Sequence, residues 1–160
     1  MTWDTTMTAI LRSMVGDMTT PYTYSDSRLK TMLICSAYII NENIDFDYSY
    51  TVDPVLETLS PDPTSVTDTG FVNLTILYTV YVIFNSEYRT ATSQAFNMKD
   101  GPSIIDGRVV AEQKGKLAKQ ALDNYNRAVL EYRAGNCHAG DAIIGPHRDS
   151  DPTIATYMFN

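Results

Sequence analysis

"FVNLTILYTVYVIFNSEYRTATSQA", residues 71–95, decides the fold, because two periodicities run through it together. Every even-numbered position from Val72 to Phe84 is apolar, which is the alternation of a strand. Phe71, Leu74, Leu77, Tyr78, Tyr81 and Val82 also make a stripe at helical spacing. The segment far exceeds the about 5–6 residues of an ordinary strand. Asp68 stands ahead of it as a potential N-cap. The reading therefore favours a buried helix.

On the N-terminal side, SPDPTSVTDTG (residues 60–70) has two prolines and no hydrophobic period, and reads as a loop. Before it, IDFDYSYTV (44–52) places Ile44, Phe46, Tyr48, Tyr50 and Val52 on one parity against Asp45, Asp47, Ser49 and Thr51. That pattern predicts a half-buried strand with an acidic face. Further back, Asp4 is a plausible cap for a short helix with Met7, Ile10, Leu11 and Met14 on one face and Gly16 as its stop. Ser25 or Asp26 opens a second helix whose stripe is Leu29, Met32, Leu33, Ser36, Ala37 and Ile40, ending at Asn41-Glu42-Asn43.

On the C-terminal side lies NMKDGPSIIDGR (97–108), with two glycines six positions apart. A phosphate-binding loop needs Gly-x-x-x-x-Gly-Lys-Ser/Thr after a strand, so that amides and a lysine surround the anion. Here Arg108 and Val109 occupy the Lys and Ser/Thr places, and Asp100 and Asp106 bracket the would-be site with negative charge. The structural reading is stronger: a short strand at 96–99, a tight turn at Asp100-Gly101-Pro102, and Ser103 or Asp106 opening the next helical region. The motif reverses the chain between two helices. Val109 to Ala134 then reads as one long helix, with Leu117, Leu122, Tyr125, Val129 and Tyr132, together with Ala121 and Ala128, on its apolar face and Gly135 as C-cap. At about 1.5 Å per residue it is longer than a small domain needs, so something beyond the chain's own core is expected against it. Gly115 inside it costs about 1 kcal/mol against alanine and predicts a late start or a kink. The final stretch spaces Ile143, Ile144, Ile154, Tyr157, Met158 and Phe159 among glycines, prolines and aspartates, as expected of a segment that orders against a partner.

At 160 residues, 44% of them apolar, the chain suits one folded domain. Its longest nearly unbroken apolar run, Ile76–Phe84, falls well short of the about 20 residues that span a bilayer, so no membrane helix is expected. The opening MTWDTTMTAI has no basic stretch ahead of a hydrophobic one, and no signal peptide is expected. Twelve Lys and Arg against 19 Asp and Glu give a formal charge of −7, which opposes adhesion to nucleic acid phosphates. The charge is uneven: residues 41–70 carry seven acids and no Lys or Arg, whereas Arg108–Arg133 is net basic.

Side chains that carry chemistry are sparse. Cys35, in an apolar helical run, reads as a buried small hydrophobe, and Cys137 as an unrelated loop thiol. Adjacent Cys137 and His138 do not converge on one tetrahedral ion, and His147 has no CxxC partner. Asp45/Asp47 and Asp149/Asp151 lack the glycine and bidentate glutamate of a calcium loop. No Gly-x-Ser-x-Gly elbow accompanies the two histidines. Asn73-Leu74-Thr75 matches the glycosylation sequon by chance, and the tyrosines suit packing. No catalytic group, cofactor site or metal site is expected.

Order of segments is the informative feature. "LRSMVGD" (11–17), "YSDSRLKTMLICSAYII" (24–40), "YTVDPVLETLSPDPT" (50–64) and "YRTATSQAFNMKDGPSIIDGR" (88–108), with "AGNCHAGDAIIGP" (134–146) as an extension, resemble the head–tail adaptor (connector, head-completion) proteins of tailed bacteriophages. The resemblance implies a mainly α fold: a small helical bundle with a short β element, a long C-terminal helix and an extended tail. It implies an adaptor domain over 1–135 and a partner-docking tail over 136–160. It further implies a homo-oligomeric ring of about twelve copies, placed in the virion neck between the portal protein and a downstream neck or tail protein, and assembled in the host cytoplasm. DNA would pass through without specific binding, no membrane would be involved, and the protein would not be an enzyme. A stopper or tail terminator, which a mainly β pattern at 71–84 would favour, is the alternative; a small enzyme relying on carboxylates is a third reading.

Overall fold

The computed structural model describes residues 2–94, 97–100 and 103–136, and the chain in it is mainly α-helical. Helix α1 runs Trp3–Val15, α2 Asp26–Asn41, α3 Thr69–Gln94 and α4 Gly107–Asn136. Two antiparallel hairpins interrupt them: β1 (Thr51–Asp53) with β2 (Thr58–Ser60), and β3 (Asn97–Asp100) with β4 (Ser103–Asp106). The chain divides into two compact units, Met1–Val129 and Leu130–Asn160. The second is described only through the last turns of α4.

In the first unit α3 packs against both α1 and α2. Residues 71–94 are thus resolved in favour of the helix, and the Asp68 carboxylate caps it by accepting from the Phe71 amide at 2.9 Å. The deepest positions differ from the expected stripe. Phe71, Leu74, Thr75, Ile76, Thr79, Val80 and Ile83 are buried, while Leu77, Tyr78, Tyr81 and Val82 are half-buried. The reason is close approach: two threonines give α3 a slimmer side than its tyrosines would, and Thr79 Oγ1 turns inward to donate to the Thr75 carbonyl at 2.7 Å. Among the described residues α3 is the one helix long and apolar enough to cross a membrane by length and composition. Its buried side chains face α1 and α2, and the rest of its apolar residues are half-buried.

The ends of α1 and α2 follow the sequence closely. Gly16 takes φ +80° and its amide returns to the Arg12 carbonyl at 3.0 Å, the left-handed stop that glycine makes cheap. Thr2, not Asp4, is the α1 N-cap; Asp4 sits in the first turn, accepting from the Thr5 amide at 2.8 Å. Ser25 caps α2, its hydroxyl accepting from the Arg28 amide at 3.3 Å. On α1, Met7 and Leu11 are buried as expected, but Ile10 and Met14 face outward, and Trp3 and Arg12 take the remaining inner places. On α2 the buried set is Leu29, Leu33, Ile34, Ser36, Ala37 and Ile40. Cys35 is exposed, correcting the expectation of a buried thiol: it lies on the opposite side of the helix, in line with Thr31, Tyr38 and Ile39.

The strand expected over 44–52 begins only at Thr51. Alternation reports which side chains face the core, but a ladder also needs a partner edge, and the antiparallel neighbour spans only Thr58–Ser60. Before Thr51 the chain uses its inward parity differently. Tyr50 stacks on Phe71 at 3.9 Å between ring centres, Phe46 meets the same ring edge-on at 5.0 Å, and Tyr50 Oη donates to Asp68 at 2.7 Å. The glycine motif does reverse the chain, with Asn97 opposite Asp106 and Asp100 opposite Ser103. Ser103 begins a second strand, not a helix, and α4 starts at Gly107.

Helix α4 continues through Gly115 without a break, correcting the expected late start or kink. A Cβ there would stand 3.0 Å from Tyr88 Cε2, so the missing side chain is the space that the Tyr88 ring occupies. With Tyr78 against Tyr125 at 5.0 Å and Lys114 against Glu87 at 3.1 Å, α3 and α4 run antiparallel within the first unit.

Candidate interaction surface

The most heavily bonded polar centre joins α1 to α2. The buried Arg12 guanidinium donates through Nη1 to Asp17 Oδ2 at 2.6 Å, and through Nη2 to Asp26 Oδ1 at 2.6 Å and the Tyr24 carbonyl at 2.8 Å. The Tyr22 ring covers it at 3.9 Å. Asp17 in turn accepts from the amides of Thr23, at 2.7 Å, and Tyr24, at 3.1 Å. Those amides, then the Arg12 charge, hold the Asp17 carboxyl below its ordinary value against the opposing cost of burial. Hydrogen bonding to Asp26 keeps Arg12 ionised. Both Asp17 oxygens and one Asp26 oxygen are engaged within the fold, so the cluster acts as a clasp between α1 and α2. Sequence reading did not single out Arg12; the Leu11-to-Asp17 and Tyr24-to-Asp26 stretches that it quoted are the two halves of this clasp.

Asp62 plays a similar part. Burial would raise its pKa, but hydrogen bonds from Thr64, through side chain and amide, and from the Trp3 amide at 3.0 Å lower it on balance. A third polar centre lies in an open groove of about 510 Å³ lined by Tyr24, Arg28, Ser86, Glu87, Thr90 and Lys114. Tyr24 Oη donates to Glu87, which also pairs with Lys114. Burial first, and Glu87 second, push the Tyr24 phenol up, so it stays protonated. Among the described residues no three His, Cys, Asp or Glu side chains gather as a metal site would require.

What the surface offers instead is apolar. Val55 is 89% exposed and Leu56 71%, at the turn between β1 and β2. On α4 the buried positions are small, Ala111, Ala118 and Ala121, while Val109, Val110 and Leu117 remain about half exposed. Of the packing face expected on α4, Leu117 is therefore at the surface, and Leu122, Tyr125 and Val129 are half-buried. Tyr132, in the second unit, is also half-buried. The tail positions Ile143, Ile144, Ile154, Tyr157, Met158 and Phe159 lie outside the described residues, as do Cys137, His138, His147 and the Asp149/Asp151 pair.

No family model, curated protein or solved structure matches this chain.

The surface thus carries large aliphatic groups held out by a turn and a helix, with charged residues nearby. The exposed turn was the feature sequence reading missed. Its signal was present in DPVLE (53–57), where two aliphatic residues follow a turn-forming Asp-Pro with no polar alternation.

Proposed function

We propose that this chain is a structural protein of the phage neck, forming a ring that joins the portal to the tail and extends the DNA channel, and that it has no catalytic role. The observation that carries the reading is the construction of α4. Its buried positions in the first unit are alanine, Leu122, Tyr125 and Val129 are only half-buried, and Val109, Val110 and Leu117 are left about half exposed. A helix built to complete its own core would put its large side chains inward. One that meets a neighbour keeps them out.

The remaining features are consistent with that role. The segment resemblance implies it, and the helical bundle is the architecture that the resemblance implies. A charge of −7 suits a conduit through which a polyanion must slide without sticking. The perturbed carboxylates Asp17 and Asp62 are engaged with backbone amides, which leaves the enzyme reading without a candidate among them. Residues 71–84 are helical, so the β pattern that would favour a stopper or tail terminator is not there.

The test is assembly. Purified protein, alone and mixed with portal particles, is imaged by electron microscopy and followed by sedimentation. A ring with an axial opening, or rings capping the portal, is the expected result. A protein that stays monomeric and leaves portal particles bare overturns the reading.

A further inference from the structure

The largest fully buried side chains among the described residues, Met7, Leu11, Leu33, Ile40, Phe71 and Ile83 with them, lie on α1, α2 and α3, apart from Pro63 ahead of α3; α4 supplies none. Those three helices also pack on one another at close range, and α4 comes as near to none of them. It meets α3 across rings instead, with Tyr78 against Tyr125 at 5.0 Å and Tyr88 over Gly115. Next to this seam the open groove of about 510 Å³ separates Val110 and Lys114 on α4 from Tyr24, Arg28 and Thr90. An element that buries so little large apolar surface opens at lower cost than the core it leans on.

We propose that α4 is a releasable arm, which over 107–129 parts from α3 while α1, α2 and α3 stay folded, and that Glu87 is its latch. Glu87 grips both sides of the groove: its carboxylate pairs with Lys114 on α4 at 3.1 Å and accepts from Tyr24 Oη ahead of α2. The Lys114 and Glu87 side chains are 36% and 33% exposed, so the pair is weak enough to open and is reached by salt. Parting uncovers Tyr78 and Tyr88, already half-buried, and takes no large side chain out of the α1–α3 core. The inference concerns a single chain and stands apart from the assembly reading; within that reading, the helix that meets a neighbour is also the one free to move.

Native-state hydrogen exchange of the full chain, read by mass spectrometry at low protein concentration, tests it. In the wild type the α4 amides between 107 and 129 should exchange through an opening that leaves α2 and α3 protected. Lys114→Gln removes the cation of the latch and should speed α4 exchange by about two- to fivefold, with α2 and α3 unchanged. Raised salt should speed α4 likewise in the wild type and do nothing further in this variant. Gly115→Phe drives a ring into the space that Tyr88 occupies and should speed α4 exchange at least about tenfold, again with α2 and α3 protected. If α4, α2 and α3 exchange through one common opening in all three chains, the arm is overturned. If Gly115→Phe strips protection from α2 and α3 as well, α4 is part of that body and the arm is equally overturned. If α4 opens first but neither Lys114→Gln nor salt alters its rate, the latch at Glu87 is overturned.

Discussion

Ser36 Oγ and Thr75 Oγ1 are buried on α2 and α3, and neither has a hydrogen-bond partner among the described residues. A buried hydroxyl without a partner forfeits its hydration for nothing in return. Thr75→Val keeps the shape and removes the polar atom, so it should stabilise the fold by about 1 kcal/mol. Urea unfolding reads this directly, and a lower midpoint would show that the hydroxyl has a use. Asp17 is the opposite case, a buried carboxylate with every bond made. Its folded pKa lies below the ordinary 3.8, so between the folded and ordinary values the unfolded chain holds more protons than the native one. The stability that Asp17 contributes is therefore complete above 3.8 and is lost as pH falls through the folded value. Asp17→Asn should lower the melting temperature at neutral pH and flatten its acid limb. A variant whose melting temperature tracks the wild type from neutral to acid pH would remove Asp17 from the clasp.

Among elements, the contact of α3 with α4 is set by aromatic rings against small residues, with Tyr88 over Gly115 and Tyr78 beside Tyr125. Alanine in place of glycine inside a helix ordinarily gains about 1 kcal/mol. At 3.0 Å from the Tyr88 ring that gain should be cancelled in the wild type and recovered in a Tyr88→Leu background. A double-mutant cycle measures the coupling, and additive effects would mean the ring moves aside freely. The helix ends at Ser25, Asp68 and Gly16 were readable at this scale because each acts within a few residues. Asp4, by contrast, lies inside the first turn of α1, and Gly135, expected as a C-cap, lies inside α4. The strand at 44–52 was misread because a ladder depends on a partner elsewhere in the chain. Cys35 was misplaced because α2 has apolar residues on both sides, Leu33 and Ala37 inside and Tyr38 and Ile39 outside, so periodicity alone did not fix which way the helix turned. The exposed turn at Val55 escaped notice for a related reason: composition marks residues as apolar, and only the fold shows which of them it leaves uncovered.

For the molecule as a whole, the proposed division of labour runs along the chain. Residues 1–129 hold the core and both hairpins, and the sequence beyond 136 is expected to serve attachment. Deleting residues 136–160 should leave the melting temperature and helical circular dichroism of the remainder nearly unchanged while abolishing attachment to portal particles. A truncated chain that still decorates them would assign attachment to the folded part alone. Net charge belongs to this scale too: in the proposed channel a charge of −7 would repel DNA without any single residue being responsible.

The bond from the Trp3 amide to Asp62 has a practical consequence. Trp3 is the sole indole in the sequence, it is 8% exposed, and its backbone is pinned to the segment that follows β2. Its fluorescence is therefore a built-in reporter. An Asp62→Ala protein should emit at longer wavelength as water reaches the ring, long before the helices melt, and an unshifted spectrum would mean that α1 is anchored without that carboxylate.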